Sequence, residues 1–115
     1  MRKESLQEML NAVEQFHQKH GFDVRTKSIK TMQYRMNLMM EELGEVCQCI
    51  TKNKGDIAEE HADLLILLLG NCITMDIDLT EAFWSKFEKI MNRPIKKVGE
   101  HTRVSDWNGD ERKLH

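Results

Sequence analysis

Residues that interrupt helices are rare in this chain, and their scarcity limits the possible folds more than any other feature of the sequence. The only proline is Pro94, and there are six glycines among 115 residues. The apolar content rests on leucine, methionine and isoleucine, while aromatic residues make up 6% of the chain, a balance that favours helices over strands. We therefore predict an all-α fold in which the few breakers separate four helices.

Apolar residues recur at helical spacing within each of the four segments. Capping patterns indicate the helix ends, because Ser, Thr and Asp side chains accept hydrogen bonds from the first free backbone N–H groups. The predicted helices run from Ser5, with Glu8 completing a capping box, to Gly21; from Ser28 to Lys52; from an N-cap at Asp56 to Met75; and from a cap at Thr80 to Pro94.

The second predicted helix carries apolar residues in two directions. One stripe repeats every seven residues, while Tyr34 and Leu38 point another way. We expect the stripe to pack against other helices. It consists of Ile29, Met36, Leu43 and Ile50, with Met32, Met39 and Val46 interleaved.

The length of the chain gives room for one domain. We predict a four-helix bundle-like domain over residues 1–95 and a C-terminal tail over 96–115, either disordered or ordered against a neighbouring subunit. Four short helices cannot cover all the apolar surface of helices two and three. We therefore predict a homo-oligomer whose smallest unit is a dimer.

The charge pattern argues against two classes of partner. The 17 basic and 19 acidic residues are mixed along the chain and give a net charge of −2, so we predict binding to neither nucleic acid nor membrane. The longest apolar run, Leu64 to Leu69, is far shorter than the roughly 20 residues that span a bilayer, and the N-terminus lacks a signal-peptide core. We expect a cytoplasmic protein.

The cysteines do not predict a disulfide framework, because there are three of them and Cys47 and Cys49 point in different directions on a helix. We expect buried or half-buried free thiols, and a metal or redox role is the less favoured alternative.

Acidic residues cluster on two consecutive helices. Glu41, Glu42 and Glu45 fall within an arc of about 100° on helix two. On helix three, Glu60 and Asp63 lie on the side that must enter the core. Because buried carboxylates need a compensating cation, and an antiparallel helix pair would bring the clusters together near its turn, we predict a site for a hard divalent ion such as Mg²⁺.

The alternative for these acids is a pair of solvated faces. Their counter-charges would then be Arg35, Lys52 and Lys54. A di-iron carboxylate bundle is a further alternative, but it needs Glu-x-x-His on two helices, and only Glu14 with His17 has that spacing.

The acidic pattern Glu41-Glu42-Leu43-Gly44-Glu45, followed after fourteen residues by Glu60-His61-Ala62-Asp63, resembles the EExxE and ExxD signature of the MazG-like all-α nucleoside triphosphate pyrophosphohydrolases. The resemblance covers about residues 28–95. It implies hydrolysis of a nucleoside triphosphate to monophosphate and pyrophosphate, with house-cleaning of nucleotides as the possible role. Phosphoribosyl-ATP pyrophosphohydrolase activity, from the same superfamily, is the enzymatic alternative, and a non-catalytic helical interaction module is the other.

The resemblance also implies the functional residues. Mg²⁺, with Mn²⁺ able to substitute, would be held by Glu42, Glu45, Glu60 and Asp63, and Glu41 would be a further ligand or would orient the attacking water. Lys86, Asn92 and Arg93 would bind the substrate, and a tetramer is as compatible with the resemblance as a dimer. His61 departs from the apolar residue common at its position. Trp84 is expected in a core or interface, while Trp107 could stack on a base.

Overall fold

A computed structural model describes residues 3–105 of the chain. The all-α class is confirmed, with one small β-hairpin after the last helix. The elements are α1 (Lys3–His20), α2 (Ile29–Thr51), α3 (Ile57–Met75), α4 (Leu79–Met91), β1 (Ile95–Val98) and β2 (His101–Val104). None of the helices in the described range is long and apolar enough to cross a membrane.

Two of the predicted helix starts are confirmed by their caps. Ser28 Oγ accepts a hydrogen bond from Thr31 N, and Asp56 accepts from the backbone N–H groups of Ala58 and Glu59. The other two starts were wrong. The helix α1 already includes Lys3, so Ser5 is not its N-cap, and α4 begins at Leu79, which places Thr80 in the first turn.

The first compact unit ends at Asp78 and contains α1, α2 and α3. The helix α3 packs against both α1 and α2, and the short connection between α2 and α3 makes them an antiparallel pair. The second half of α3 is buried on several sides, which places the core at that end of the unit. The core residues are Leu10, Val13, Val46, Leu69 and Cys72.

The apolar stripe predicted to pack against other helices lies on the surface instead. Its members are between 46% and 69% exposed within the described part of the chain, whereas Val46 is buried and Met32 and Met39 are half-buried. The interleaved residues therefore face the core. The exposed stripe is Ile29, Met36, Leu43 and Ile50. Cys47 was also expected to be at least half-buried but is exposed.

The second unit begins at Leu79 and consists of α4 and an antiparallel hairpin of β1 and β2. Ile95 pairs with Val104 and Val98 with His101, and Ser105 N donates to Pro94 O. The part of the predicted tail up to residue 105 is therefore an ordered hairpin made by this chain itself, and its strands were not predicted.

Candidate metal centre

A tight turn brings the two acid-bearing helices side by side. Between α2 and α3, Asn53 and Gly55 adopt left-handed backbone conformations with φ of 48° and 87°. A Cβ on Gly55 would lie 3.2 Å from Cys49 Sγ, so glycine also avoids a steric conflict there. The chain reverses within these few residues, and the last turns of α2 face the first turns of α3.

Three carboxylates meet at this end of the helix pair. One oxygen from each of Glu42, Glu60 and Asp63 lies within 4.8 Å of the other two. These residues are three of the four predicted metal ligands. The fourth, Glu45, is next to them, since its side chain hydrogen-bonds with Glu60. Glu41 is exposed and is not part of the group.

Two of the carboxylate oxygens are buried and lack a partner. Glu42 Oε2 and Glu60 Oε2 make no hydrogen bond to any group in residues 3–105. No described lysine or arginine forms an ion pair with Glu42, Glu60 or Asp63. Arg35, a possible counter-charge, donates to Asn71 Oδ1 and Thr74 Oγ1 instead. The alternative of charge-paired solvated faces therefore does not describe this cluster.

The carboxylates of the cluster raise one another's pKa. Hydrogen bonding with Glu45, together with burial and the nearby charge of Glu42, raises the pKa of Glu60 to about 7 from an ordinary 4.5. Burial, and then repulsion by Glu45, raises the pKa of Glu42.

The donor set fits a hard divalent ion. All three groups offer carboxylate oxygens, which Mg²⁺ prefers, and two of them have a buried oxygen with its hydrogen-bonding capacity unused. The three oxygens lie within 4.8 Å of one another, so one ion could be shared by all three carboxylates.

The other end of the α2–α3 pair contains a buried polar network that the sequence did not reveal. Arg35 Nη1 donates to Asn71 Oδ1 at 3.1 Å and to Thr74 Oγ1 at 2.8 Å. Thr74, which is fully buried, donates in turn to the backbone oxygen of Asp23, and His17 Nδ1 lies 2.8 Å from the same oxygen. This network fixes the register of α2 against α3 and ties the α1–α2 connection to them.

The network also removes the di-iron alternative. His17 is 3% exposed and engaged with Asp23, while Glu14 accepts a hydrogen bond from Arg25. Cys49, for which a metal role was the less favoured prediction, lies near the carboxylate cluster. Burial raises the pKa of its thiol, as do Glu60, Asp56 and Glu45. The signal was available, because Cys49 follows Glu45 by one helical turn.

The predicted substrate residues lie in the second unit. Lys86 and Arg93 are seven residues apart, but they do not share a helix face, because α4 ends at Met91. Pro94 disfavours a helical conformation at the residue before it. Asn92 Nδ2 donates to Glu88 O, and Arg93 Nε is buried without a hydrogen-bond partner in the described range. Trp107 lies outside the described residues.

Comparison with known protein families gives a match. The sequence model of the family described as phosphoribosyl-ATP pyrophosphohydrolase matches residues 3–90. This range contains α1, α2, α3 and nearly all of α4, and with them all five acidic residues of the motif. No curated protein and no solved structure matches the chain. The match confirms the predicted resemblance at the level of the MazG-like superfamily. Within that superfamily, the matched family is phosphoribosyl-ATP pyrophosphohydrolase, which the sequence analysis gave as the enzymatic alternative.

Proposed function

Because the chain belongs to the phosphoribosyl-ATP pyrophosphohydrolase family, we propose that it hydrolyses the α–β phosphoanhydride bond of phosphoribosyl-ATP or a closely similar nucleotide. Water would add its oxygen to the α-phosphorus, the α–β bridge would break, and pyrophosphate would leave. The main prediction from the sequence was an ordinary nucleoside triphosphate as the substrate, and the family match favours the alternative.

The observation that carries this proposal is the convergence of Glu42, Glu60 and Asp63, with two buried carboxylate oxygens that have no partner in the described range. A structural role alone would leave these two oxygens without compensation, since a buried polar group that makes no hydrogen bond destabilises a fold. A divalent ion bound there would compensate both oxygens. It would also place the hydrolysis reaction of the family at this cluster.

The chain's own residues divide into three roles under this proposal. Glu42, Glu60 and Asp63 would hold Mg²⁺, or Mn²⁺ in its place, and Glu45 would complete or support the set. Bound there, the ion would neutralise charge on the phosphate oxygens and on the leaving pyrophosphate. Glu41, which is exposed and outside the group, is the candidate for orienting the attacking water. Lys86, Asn92 and Arg93 are the candidates for binding phosphate or base.

A second candidate substrate is an unmodified nucleoside triphosphate. The observation in its favour is the EExxE and ExxD pattern, whose Glu42, Glu60 and Asp63 the structure brings together. The two candidates share the reaction and the metal. They differ in whether the phosphoribosyl group on the adenine is needed for turnover.

The test is a panel assay with purified protein and Mg²⁺ or Mn²⁺. The panel contains phosphoribosyl-ATP, the common ribonucleotides and the common deoxyribonucleotides, and products are separated by chromatography. We expect pyrophosphate and the matching monophosphate, with phosphoribosyl-ATP the best substrate. Preference for an unmodified triphosphate would replace the first candidate by the second. Release of orthophosphate, or no turnover on any member of the panel, would refute both. The Asp63→Asn protein serves as the control for contaminating activity.

A further inference from the structure

One face of α2 runs from the metal centre back towards the start of the helix, and we call it the α2 lateral face. Its five residues follow one another at spacings of four, four, three and four. At 100° per residue they lie within an arc of about 80°, so their side chains leave the helix in one general direction. The residues of this face are Lys30, Tyr34, Leu38, Glu41 and Glu45.

The acidic end of the α2 lateral face is joined to the metal centre. The side chain of Glu45 hydrogen-bonds with Glu60, which is one of the three converging carboxylates. Glu41, the candidate for orienting the attacking water, is exposed one helical turn before Glu45. A nucleotide whose α-phosphate lies at the carboxylates can therefore place its sugar and base along this face of α2.

The metal centre does not account for Tyr34. This residue is the single tyrosine of the chain and is 65% exposed, and it forms no hydrogen bond and no ring contact with any group in residues 3–105. Half-buried Leu38 separates it from the acids, so the face changes from acidic to apolar and then to aromatic. An exposed aromatic ring is a surface on which a nucleobase can stack.

The distance along the helix suits a nucleotide. Tyr34 precedes Glu42 by eight residues, which is about 12 Å at 1.5 Å per residue. In a nucleotide, six covalent bonds of about 1.5 Å each separate the α-phosphorus from the nitrogen that joins the base to the sugar, and a purine ring extends further. The base can therefore reach the ring of Tyr34 while its α-phosphate lies at the carboxylates.

Beyond Tyr34 the face ends in a positive charge. Lys30 lies one helical turn before Tyr34, is exposed, and forms no ion pair within the described residues. The order of cation, aromatic ring, apolar side chain and carboxylates matches the order of groups in phosphoribosyl-ATP, whose adenine carries a second ribose with its own phosphate. An unmodified nucleoside triphosphate has no phosphate beyond its base, and it would leave Lys30 unused.

We propose that Tyr34 stacks on the adenine and that Lys30 binds the phosphate of the phosphoribosyl group, so that the α2 lateral face selects phosphoribosyl-ATP over an unmodified nucleoside triphosphate. This proposal rests on the proposed function, because it takes the carboxylates as the place of the α-phosphate. The lysine ammonium donates hydrogen bonds to phosphate oxygens, whereas the tyrosine ring supplies contact area to the base. The effects of the two residues are therefore separable by experiment.

The first experiment measures kcat/KM for phosphoribosyl-ATP and for ATP. Lys30→Met removes the charge, and we expect the ratio of kcat/KM for phosphoribosyl-ATP to that for ATP to fall about tenfold. Tyr34→Leu should lower kcat/KM about tenfold for both substrates, mainly through KM, and Tyr34→Phe, which keeps the ring, should restore it. The controls are Lys19→Met and Met40→Leu, which are exposed outside the face. A wild-type ratio in Lys30→Met, or wild-type kcat/KM in Tyr34→Leu, would overturn the proposal.

The second experiment measures binding without turnover, so that failure of this proposal is distinguishable from failure of the proposed function. Phosphoribosyl-AMP and AMP are titrated into the protein with Mg²⁺ in a calorimeter. We expect wild type to bind phosphoribosyl-AMP more tightly than AMP, Lys30→Met to bind the two equally, and Tyr34→Leu to bind both more weakly.

The two experiments together assign each result. The expected binding pattern in a protein without turnover would support the roles of Tyr34 and Lys30 and refute the hydrolytic activity. Turnover of phosphoribosyl-ATP by a wild type that binds the two monophosphates equally would refute the role of Lys30 and retain the activity. Absence of binding to either compound would overturn the proposal.

Discussion

Polar side chains enter the interior of the α2–α3 helix pair at both ends, but their surroundings differ. At the end away from the turn, Arg35 donates to Asn71 and Thr74, and Thr74 donates to the backbone of Asp23. At the turn end, Glu42 and Glu60 each have a buried oxygen with no partner in residues 3–105. The polar groups at one end of the pair are satisfied within the described residues, and those at the other end are not.

The difference separates groups that stabilise the fold from groups that are candidates for binding a ligand. Hydrogen bonds to a charged partner contribute about 1.5–3 kcal/mol each, which offsets the burial of the Arg35 network. Within residues 3–105 the carboxylates at the turn end have only one another, and their proximity raises the pKa of Glu60 to about 7. The buried network therefore stabilises the fold, whereas the carboxylate cluster destabilises it and is the proposed metal site.

The largest expected effect comes from removing a metal ligand. Glu42→Gln and Asp63→Asn keep the shape of the side chain but lose a charged oxygen, and we expect kcat to fall by about 10²–10³-fold, corresponding to a few kcal/mol of transition-state stabilisation. Thermal stability without Mg²⁺ should hold or rise, because one of the repelling charges is gone. The control is Glu59→Gln, an exposed acid next to the cluster. Wild-type turnover in Asp63→Asn would remove Asp63 from the centre.

The next effect in size comes from breaking the network at the other end. Arg35→Met leaves the Asn71 and Thr74 acceptors without their donor, and we expect a loss of about 2–4 kcal/mol in the free energy of unfolding, measured with urea. The control is Arg25→Met, which removes the exposed ion pair with Glu14 and should cost less than about 1 kcal/mol. Equal losses in the two variants would show that the network has no special role.

Two glycines test how tightly each end is packed. A Cβ on Gly70 would lie 2.9 Å from Nε2 of the buried His17, so we expect Gly70→Ala to destabilise the protein by about 1–3 kcal/mol. A Cβ on Gly44, within the acidic motif, meets nothing within 4 Å. Gly44→Ala should therefore raise stability by about 0.5–1 kcal/mol through helix propensity. Thermal denaturation of both variants measures these changes in stability. A stabilising effect of Gly70→Ala would contradict the packing described for His17.

The two ends should also respond to pH in opposite directions. The pKa of Glu60 is raised to about 7 in the folded protein, so its contribution to metal-free stability is full below 4.5 and is lost as pH rises towards 7. Hydrogen bonds from Thr31 and Thr26 lower the pKa of Asp23, so its contribution is full above 3.8 and is lost as pH falls below that value. Urea titrations across pH measure both limbs. Glu60→Gln should remove the loss of stability between pH 4.5 and 7. If that loss persisted in the variant, it would belong to another group.

The sequence predicted the features that depend on local chemistry. The caps at Ser28 and Asp56 and the short turn between α2 and α3 follow from residues a few positions apart, and the meeting of Glu42, Glu60 and Asp63 follows from that turn. The spacing of the acidic residues also predicted the superfamily to which the matched family belongs.

The remaining features depend on contacts that spacing cannot show. Met39 and Met36 repeat with the same period on α2, so periodicity alone could not tell which stripe faces the core. The bond from Arg35 to Asn71 joins residues 36 positions apart. The hairpin did have a local signal in the sequence, because Gly99, with φ of 62°, separates two short runs that each contain β-branched residues. Every strand residue is exposed, however, so the strands show no alternation of buried and exposed side chains.

The position of the metal centre along the chain has a consequence for the order of folding. Glu42 and Asp63 are separated by 21 positions, whereas the bond from Thr74 to Asp23 spans 51. By the logarithmic law of loop closure, joining the nearer pair loses less chain entropy, by about 0.8 kcal/mol. We therefore expect the α2–α3 hairpin to close before the α1–α2 connection docks onto it. The ion's ligands would then meet in a partly folded chain, and Mg²⁺ present during refolding would accelerate folding as well as slow unfolding.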